Sequence, residues 1–149
     1  MKLKNYNTKA ASFFKMLPKD WQDVILPFWD NIKSTNQLYV LIDGEEVVAG
    51  GMVFHQCPPD MMFYKNKADY LFSKGFLYLG FIFVKPSRRK QNLGSKWIDL
   101  IKSLYPKQGF WLSIEDENLD KFYTKNKFEK FETVKNTLNE KETIYVFKP

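Results

Sequence analysis

Val84-Lys-Pro-Ser-Arg-Arg-Lys-Gln-Asn-Leu-Gly-Ser-Lys-Trp97 passes from the end of an apolar run, through a basic loop, into an amphipathic segment. The run before it, Phe76–Val84, is rich in aromatic and β-branched residues, which predicts a strand buried on both faces. The segment after it, Leu93–Tyr105, sets Trp97, Ile98, Ile101, Leu104 and Tyr105 on one stripe, which predicts a helix, and Pro106 ends it. A strand leading through such a loop into a helix start is the arrangement that holds a diphosphate. The N–H groups of a first helical turn have no partner inside the helix, the dipole adds partial positive charge, and small residues let phosphates approach. Asn92 and Gly94 are the positions where positive φ or close backbone approach is easiest. Arg88, Arg89 and Lys90 add positive field.

The charge distribution singles out the same stretch. The chain carries 23 Lys and Arg against 17 Asp and Glu, a net charge of +6. Lys85, Arg88, Arg89, Lys90, Lys96, Lys102 and Lys107 face only Asp99 within their segment, so the whole surplus lies there and the rest of the chain is balanced. A charge so confined suits a compact anionic ligand better than the broad footprint of a nucleic acid, although a solvated basic face is the other reading of such a run.

Working outward, Thr8–Leu17 and Trp21–Lys33 have helical periodicity, with Phe13, Phe14 and Leu17 on one face of the first. Trp21, Val24, Ile25, Phe28 and Trp29 share a face of the second. Gln37–Ile42 and Glu45–Phe54 read as strands joined by the hairpin dipeptide Asp43-Gly44, and Gly50-Gly51 predicts a bulge or a close backbone approach. Residues 55–75, with Pro58-Pro59 and a short helical stretch, read as an insertion or lid. Phe110–Ile114 is a strand, Glu117–Lys125 a short helix, and Phe128–Val134 and Thr143–Phe147 are closing antiparallel strands. The order predicts one α/β domain over residues 1–149, a mixed sheet with helices on both faces.

Composition limits the remaining classes. At 149 residues with 44% hydrophobic side chains the chain can bury a core unaided. Cys57 is the only cysteine, so neither an internal disulfide nor a Cys-based zinc site can form, which favours a reducing compartment. The N-terminus lacks a signal-like apolar core, and the longest apolar run is too short to span a bilayer, so a cytoplasmic location without membrane contact is expected.

The loop Arg88–Ser95 resembles the acetyl-CoA signature of the GNAT acetyltransferase superfamily, Q/R-x-x-G-x-G/A after the fourth strand. Arg89 takes the Q/R position, Gly94 the second glycine, and Asn92 stands where the family usually has its first. A second block, Trp111-Leu-Ser-Ile-Glu-Asp-Glu-Asn118 followed by Phe122-Tyr123-Thr-Lys-Asn-Lys-Phe128, resembles the family's strand, Asn, then Phe-Tyr-x-Lys-x-Gly-Phe. Lys127 replaces the usual glycine there. Two blocks in order on matching elements are far more specific than the loop alone.

The resemblance implies a mostly antiparallel central sheet, acetyl-CoA as cosubstrate without a metal, and direct transfer of acetyl to an amine. It implies an oxyanion donor at the Ile82 backbone N–H and pairing of Phe83 and Val84 with the pantetheine arm. The diphosphate falls to Arg88, Arg89, Lys90, Gln91, Asn92, Leu93, Gly94 and Ser95, with Asn118 also on the cofactor. Tyr123 is the implied acid for the departing thiolate. The strand position that often carries a Glu base holds Tyr78, so proton removal from the amine falls to His55 or to a water relay. The acceptor is unspecified, the assembly monomer or homodimer. The alternatives are a CoA-binding member without turnover and a small basic nucleic-acid-binding domain.

Overall fold

The computed structural model describes all 149 residues, and the side chains of all but residues 59 and 60. Seven strands form one sheet: β1 (Lys2–Asn5), β2 (Gln37–Asp43), β3 (Glu46–Phe54), β4 (Leu77–Val84), β5 (Phe110–Ile114), β6 (Glu129–Lys135) and β7 (Lys141–Phe147). Their spatial order is β1-β2-β3-β4-β5-β7-β6. Every neighbouring pair is antiparallel except β4 and β5, which run parallel. The helices are α1 (Ala11–Phe14), α2 (Lys19–Ile32), α3 (Lys65–Ser73), α4 (Leu93–Leu104) and α5 (Asp120–Lys125).

The two consecutive glycines of β3 show how helices reach both faces. Successive strand residues point to opposite sides of a sheet. A Cβ at Gly50 would come within 2.6 Å of the Phe13 ring, and one at Gly51 within 2.7 Å of the Trp97 indole. The N-terminal helical segment therefore sits tight on one face and α4 on the other. Trp97, Ile98 and Ile101 of α4 and Phe13 and Phe14 of α1 are all buried, so the predicted mixed sheet with helices on both faces is the observed one.

Several local expectations change. The stretch expected to be one helix over Thr8–Leu17 is a 3-10 turn, Asn7–Lys9, followed by the four-residue α1. Asn7 interrupts it: its amide donates to the Lys33 and Asn36 carbonyls and its side-chain oxygen accepts from the Leu38 N–H. Phe28 and Leu104, placed on apolar stripes by periodicity, are exposed; Ile32 is buried on α2 instead. The edge strand β1 is an addition to the expected elements, because Lys2–Asn5 has no alternation beyond Leu3. The hairpin loop falls on Gly44 and Glu45, one residue later than expected, since Asp43 still pairs with Glu46. Within residues 55–75, expected as an insertion or lid, Tyr64, Ala68 and Leu71 are buried in the core. Finally, β4 is buried only over Tyr78–Gly80, and its outer half, Phe81–Val84, is half-buried. That half opens onto the site.

Candidate active site

The loop after β4 has the conformation its residue types call for. Asn92 is the residue before α4 and is left-handed, with φ 61° and ψ 25°. Asparagine is among the few residues that adopt this region at low cost. Its side chain turns aside, with Oδ1 accepting from Lys125 Nζ at 3.3 Å, and no side chain caps the helix. The N–H groups of Leu93, Gly94 and Ser95 are thereby left to whatever anion approaches. Lys90 is also left-handed, φ 65°. A Cβ at Gly94 would lie 2.9 Å from the Phe122 ring, so α5 packs where only glycine fits.

Asn126, at the end of α5, fixes that packing. Its buried amide donates to Ser95 Oγ at 3.1 Å and to the Phe122 carbonyl at 2.8 Å. At the other end of α5, the Tyr145 hydroxyl donates to the Asp120 carboxylate and ties the helix to β7. Lys127, where the resembling motif has glycine, has φ 72° and supplies the same left-handed turn with a less suited residue.

Beneath the loop the sheet parts. β4 and β5 pair only at Leu77↔Phe110 and Tyr78↔Trp111, and both strands run on beyond that point. On its other edge β4 carries a bulge: Phe81 and Ile82 together oppose Gly51, between Gly50↔Phe83 and Met52↔Gly80. Phe81 has φ 54°, a sterically costly conformation for a bulky side chain. A bulge leaves one residue out of the ladder and re-aims its neighbour; the neighbour in this strand is Ile82. Trp21, from the first turn of α2, lies edge-on to Phe81 and Phe83, with centroids 6.0 and 5.9 Å away.

A groove of about 770 Å3 runs from the α4 N-terminus along this half of β4. Ile82, Phe83, Val84, Arg89, Lys90, Asn92, Leu93, Gly94 and Tyr123 line it, all expected from the sequence. The Arg89 guanidinium stacks 5.1 Å from the Phe83 ring, and its Nε donates to the Val84 carbonyl. Tyr123 is 7% exposed, enclosed by Phe122, Phe128 and Tyr145. Burial pushes its phenol up to about 12, and its hydroxyl has no hydrogen bond among the described residues.

A family model for GNAT acetyltransferases matches residues 3–128. The chain belongs to the GNAT acetyltransferase family. Solved GNAT-fold structures agree over the whole length. An aminoglycoside 6'-acetyltransferase type Ii superposes with TM-score 0.70 at 13% identity, covering 99% of this chain and 97% of that one. A Bacillus subtilis acetyltransferase in complex with CoA gives 0.70 at 10% identity, covering 99% and 98%. An Elizabethkingia anophelis GNAT acetyltransferase with acetyl-CoA bound gives 0.65 at 12%, covering 99% and 97%. No curated protein matches the sequence. No helix among the described residues is long and apolar enough to cross a membrane.

Within this GNAT domain the side chains of five expected site residues lie elsewhere. Arg88 turns back to the β2–β3 hairpin, donating to Asp43 Oδ2 at 2.6 Å and Glu46 Oε1 at 2.7 Å, while Lys85 Nζ takes Glu46 Oε2 at 2.6 Å. The Arg88 hydrogen bond holds Asp43 below the usual carboxylate range, and Lys85 does the same for Glu46. Two cations of the basic segment are thus neutralised by the hairpin. Gln91 Oε1 accepts from Arg88 Nε, Ser95 is buried against Asn126, and Asn118 is exposed in the turn capped by Asp116. His55 is exposed at the end of β3, its backbone N–H given to Asn36 Oδ1, and it borders neither the groove nor the adjoining cavity.

That adjoining cavity, about 680 Å3, shares Trp21, Ile82, Leu119 and Tyr123 with the groove. Met61, Met62 and Phe63 form one rim and the β6–β7 turn, Asn136–Leu138, another. Four residues that line the groove, Trp21, Leu119, Phe122 and Lys125, are not singled out by sequence reading. For Phe122 and Lys125 the Phe-Tyr-x-Lys block is a signal, since both belong to it; Trp21 and Leu119 have none.

Proposed function

We propose that the protein transfers the acetyl group of acetyl-CoA to a primary amine by direct attack where groove and cavity meet. The observation that carries this reading is Tyr123, a buried tyrosine whose hydroxyl has no hydrogen bond among the described residues and which, with Ile82, lines both spaces. In this reading the α4 N-terminus, Arg89 and Lys90 receive the diphosphate. The pantetheine arm lies along Phe83 and Val84, and the acetyl oxygen meets the Ile82 N–H. That N–H opposes the negative charge that develops on the oxygen as nitrogen attacks, which is where electrostatic help lowers a barrier most.

The carbon–nitrogen bond forms, the carbon–sulfur bond breaks, and the sulfur leaves as a thiolate that needs a proton. Tyr123 supports that step because burial keeps it protonated throughout the neutral range. The acceptor enters from the adjoining cavity, and the CoA-bound fold neighbours support the choice of cosubstrate. Calorimetric titration with acetyl-CoA, followed by an amine screen that detects free CoA thiol, tests it. Absence of heat and of thermal stabilisation at saturating acetyl-CoA refutes it.

A further inference from the structure

The cavity on the acceptor side is acidic in a chain of net charge +6. Asp20, Glu115, Asp116 and Glu142 line it, and none of its described lining residues is Lys, Arg or His. Three of these carboxylates are exposed, whereas Glu142 is only 8% exposed. A carboxylate removed from water is costly unless donors or a cation meet it. Glu142 lies two residues before Ile144, the register partner of Ser113, so β7 and β5 present Glu142 and Ser113 on the same face. The Tyr64 hydroxyl donates to Ser113 Oγ at 3.0 Å, and Ser113 Oγ donates to Glu142 Oε1 at 3.3 Å. With Tyr64 filling an acceptor site on Ser113, the serine's single proton is directed at the carboxylate. Ser113 and Glu142 border the same cavity as Ile82 and Tyr123.

We propose that Glu142 seats the ammonium group of a cationic primary amine and removes its proton before attack. The assignment rests on the acetyl-transfer reading above and supplies the base that the sequence left open. An ammonium nitrogen has no lone pair and cannot attack, so one proton must leave first. It passes to Glu142 and from there to solvent. The neutral nitrogen then bonds to the acetyl carbon, its second proton reaches the departing sulfur by way of the Tyr123 hydroxyl, and the products are the N-acetyl amine and free CoA. Among the described residues, the other titratable groups lining this cavity are Tyr78 of β4, Glu115 and Asp116 after β5, Asp20 of α2 and Tyr123 of α5. Tyr64 reaches Glu142 through Ser113. All of them favour or tolerate a cation beside Glu142, and the exposed carboxylates would draw a polycation to the mouth.

The test compares two probes at saturating acetyl-CoA. Spermidine enters as a polycation, whereas hydroxylamine is already neutral at mildly alkaline pH and has no ammonium proton to lose. Wild type is expected to acetylate both. Glu142→Gln should lower kcat/KM for spermidine about 10²-fold or more and leave hydroxylamine little changed. The residual spermidine rate should climb with pH as free amine forms in solution. Calorimetric affinity for acetyl-CoA should be unchanged, which reports an intact groove. If the Gln variant does not fold, Ser113→Ala should show the same selective loss at smaller size, since it leaves the carboxylate but not its orientation. Equal loss on both probes, no loss on either, or a wild type that binds acetyl-CoA yet acetylates neither probe overturns the role of Glu142. A wild type that does not bind acetyl-CoA overturns the underlying reading instead.

Discussion

Replacing Tyr123 by Phe removes one oxygen and leaves the ring among Phe122, Phe128 and Tyr145, whose centroids lie 4.9, 5.8 and 6.2 Å away. Because that hydroxyl has no partner among the described residues, its loss abolishes no hydrogen bond, and stability should change by less than about 0.5 kcal/mol in either direction. Acetyl-CoA affinity should be kept for the same reason. Turnover should not. A general acid contributes about 10²–10⁴-fold, or roughly 3–5 kcal/mol of barrier, and the loss belongs in kcat, because the interaction strengthens only as charge grows on sulfur. The phenol at about 12 stands some 3–4 units above an ordinary thiol near ~8.5, a gap of about 5 kcal/mol against outright transfer. In the proposed mechanism the hydroxyl would therefore give its proton to sulfur while taking the one released by nitrogen. Thiol release with spermidine, thermal melting and calorimetry on one preparation separate the contributions. A Tyr123→Phe variant with wild-type kcat, or one that loses affinity and turnover together, refutes this role.

Other outcomes rest on the same geometry. Asn92→Val forces a β-branched residue to φ 61°, so it should cost about 1–2 kcal/mol and weaken acetyl-CoA binding, whereas Asn92→Gly should be tolerated; melting and calorimetry report both. Arg89→Ala with Lys90→Ala should weaken acetyl-CoA binding and flatten its salt dependence, while Arg88→Ala should leave both nearly unchanged, as titrations at two ionic strengths will show. The phenol of Tyr123 is ordinarily near ~10 and about 12 when folded, so the folded chain holds this proton more tightly than the unfolded one. The stability it contributes is complete below pH ~10 and is lost as pH rises towards about 12. Tyr123→Phe should make the alkaline loss of stability shallower by about 2–3 kcal/mol in denaturant titrations across that window.

Local chemistry was legible in the sequence. The left-handed Asn92, the uncapped start of α4, the strand Phe110–Ile114 and the Gly50-Gly51 approach each depend on intrinsic φ preference or on the spacing of near neighbours. Those preferences act within a few residues and survive in any fold. The tertiary structure decided which charges serve the groove, because Arg88 is captured by Asp43 and Glu46, 45 and 42 residues away in sequence. It also set the Phe81 bulge, which exists only because β3 and β4 pair on either side of it, and it brought Trp21 across β4. The carboxylate of Glu142 looks, in the sequence, like one more polar residue near a hairpin. Burial and the Ser113 hydroxyl make it different, and both are created by the packing of strands and helices remote from it in the chain. Local preference cannot encode such neighbours, since their energies arise only when the sheet closes.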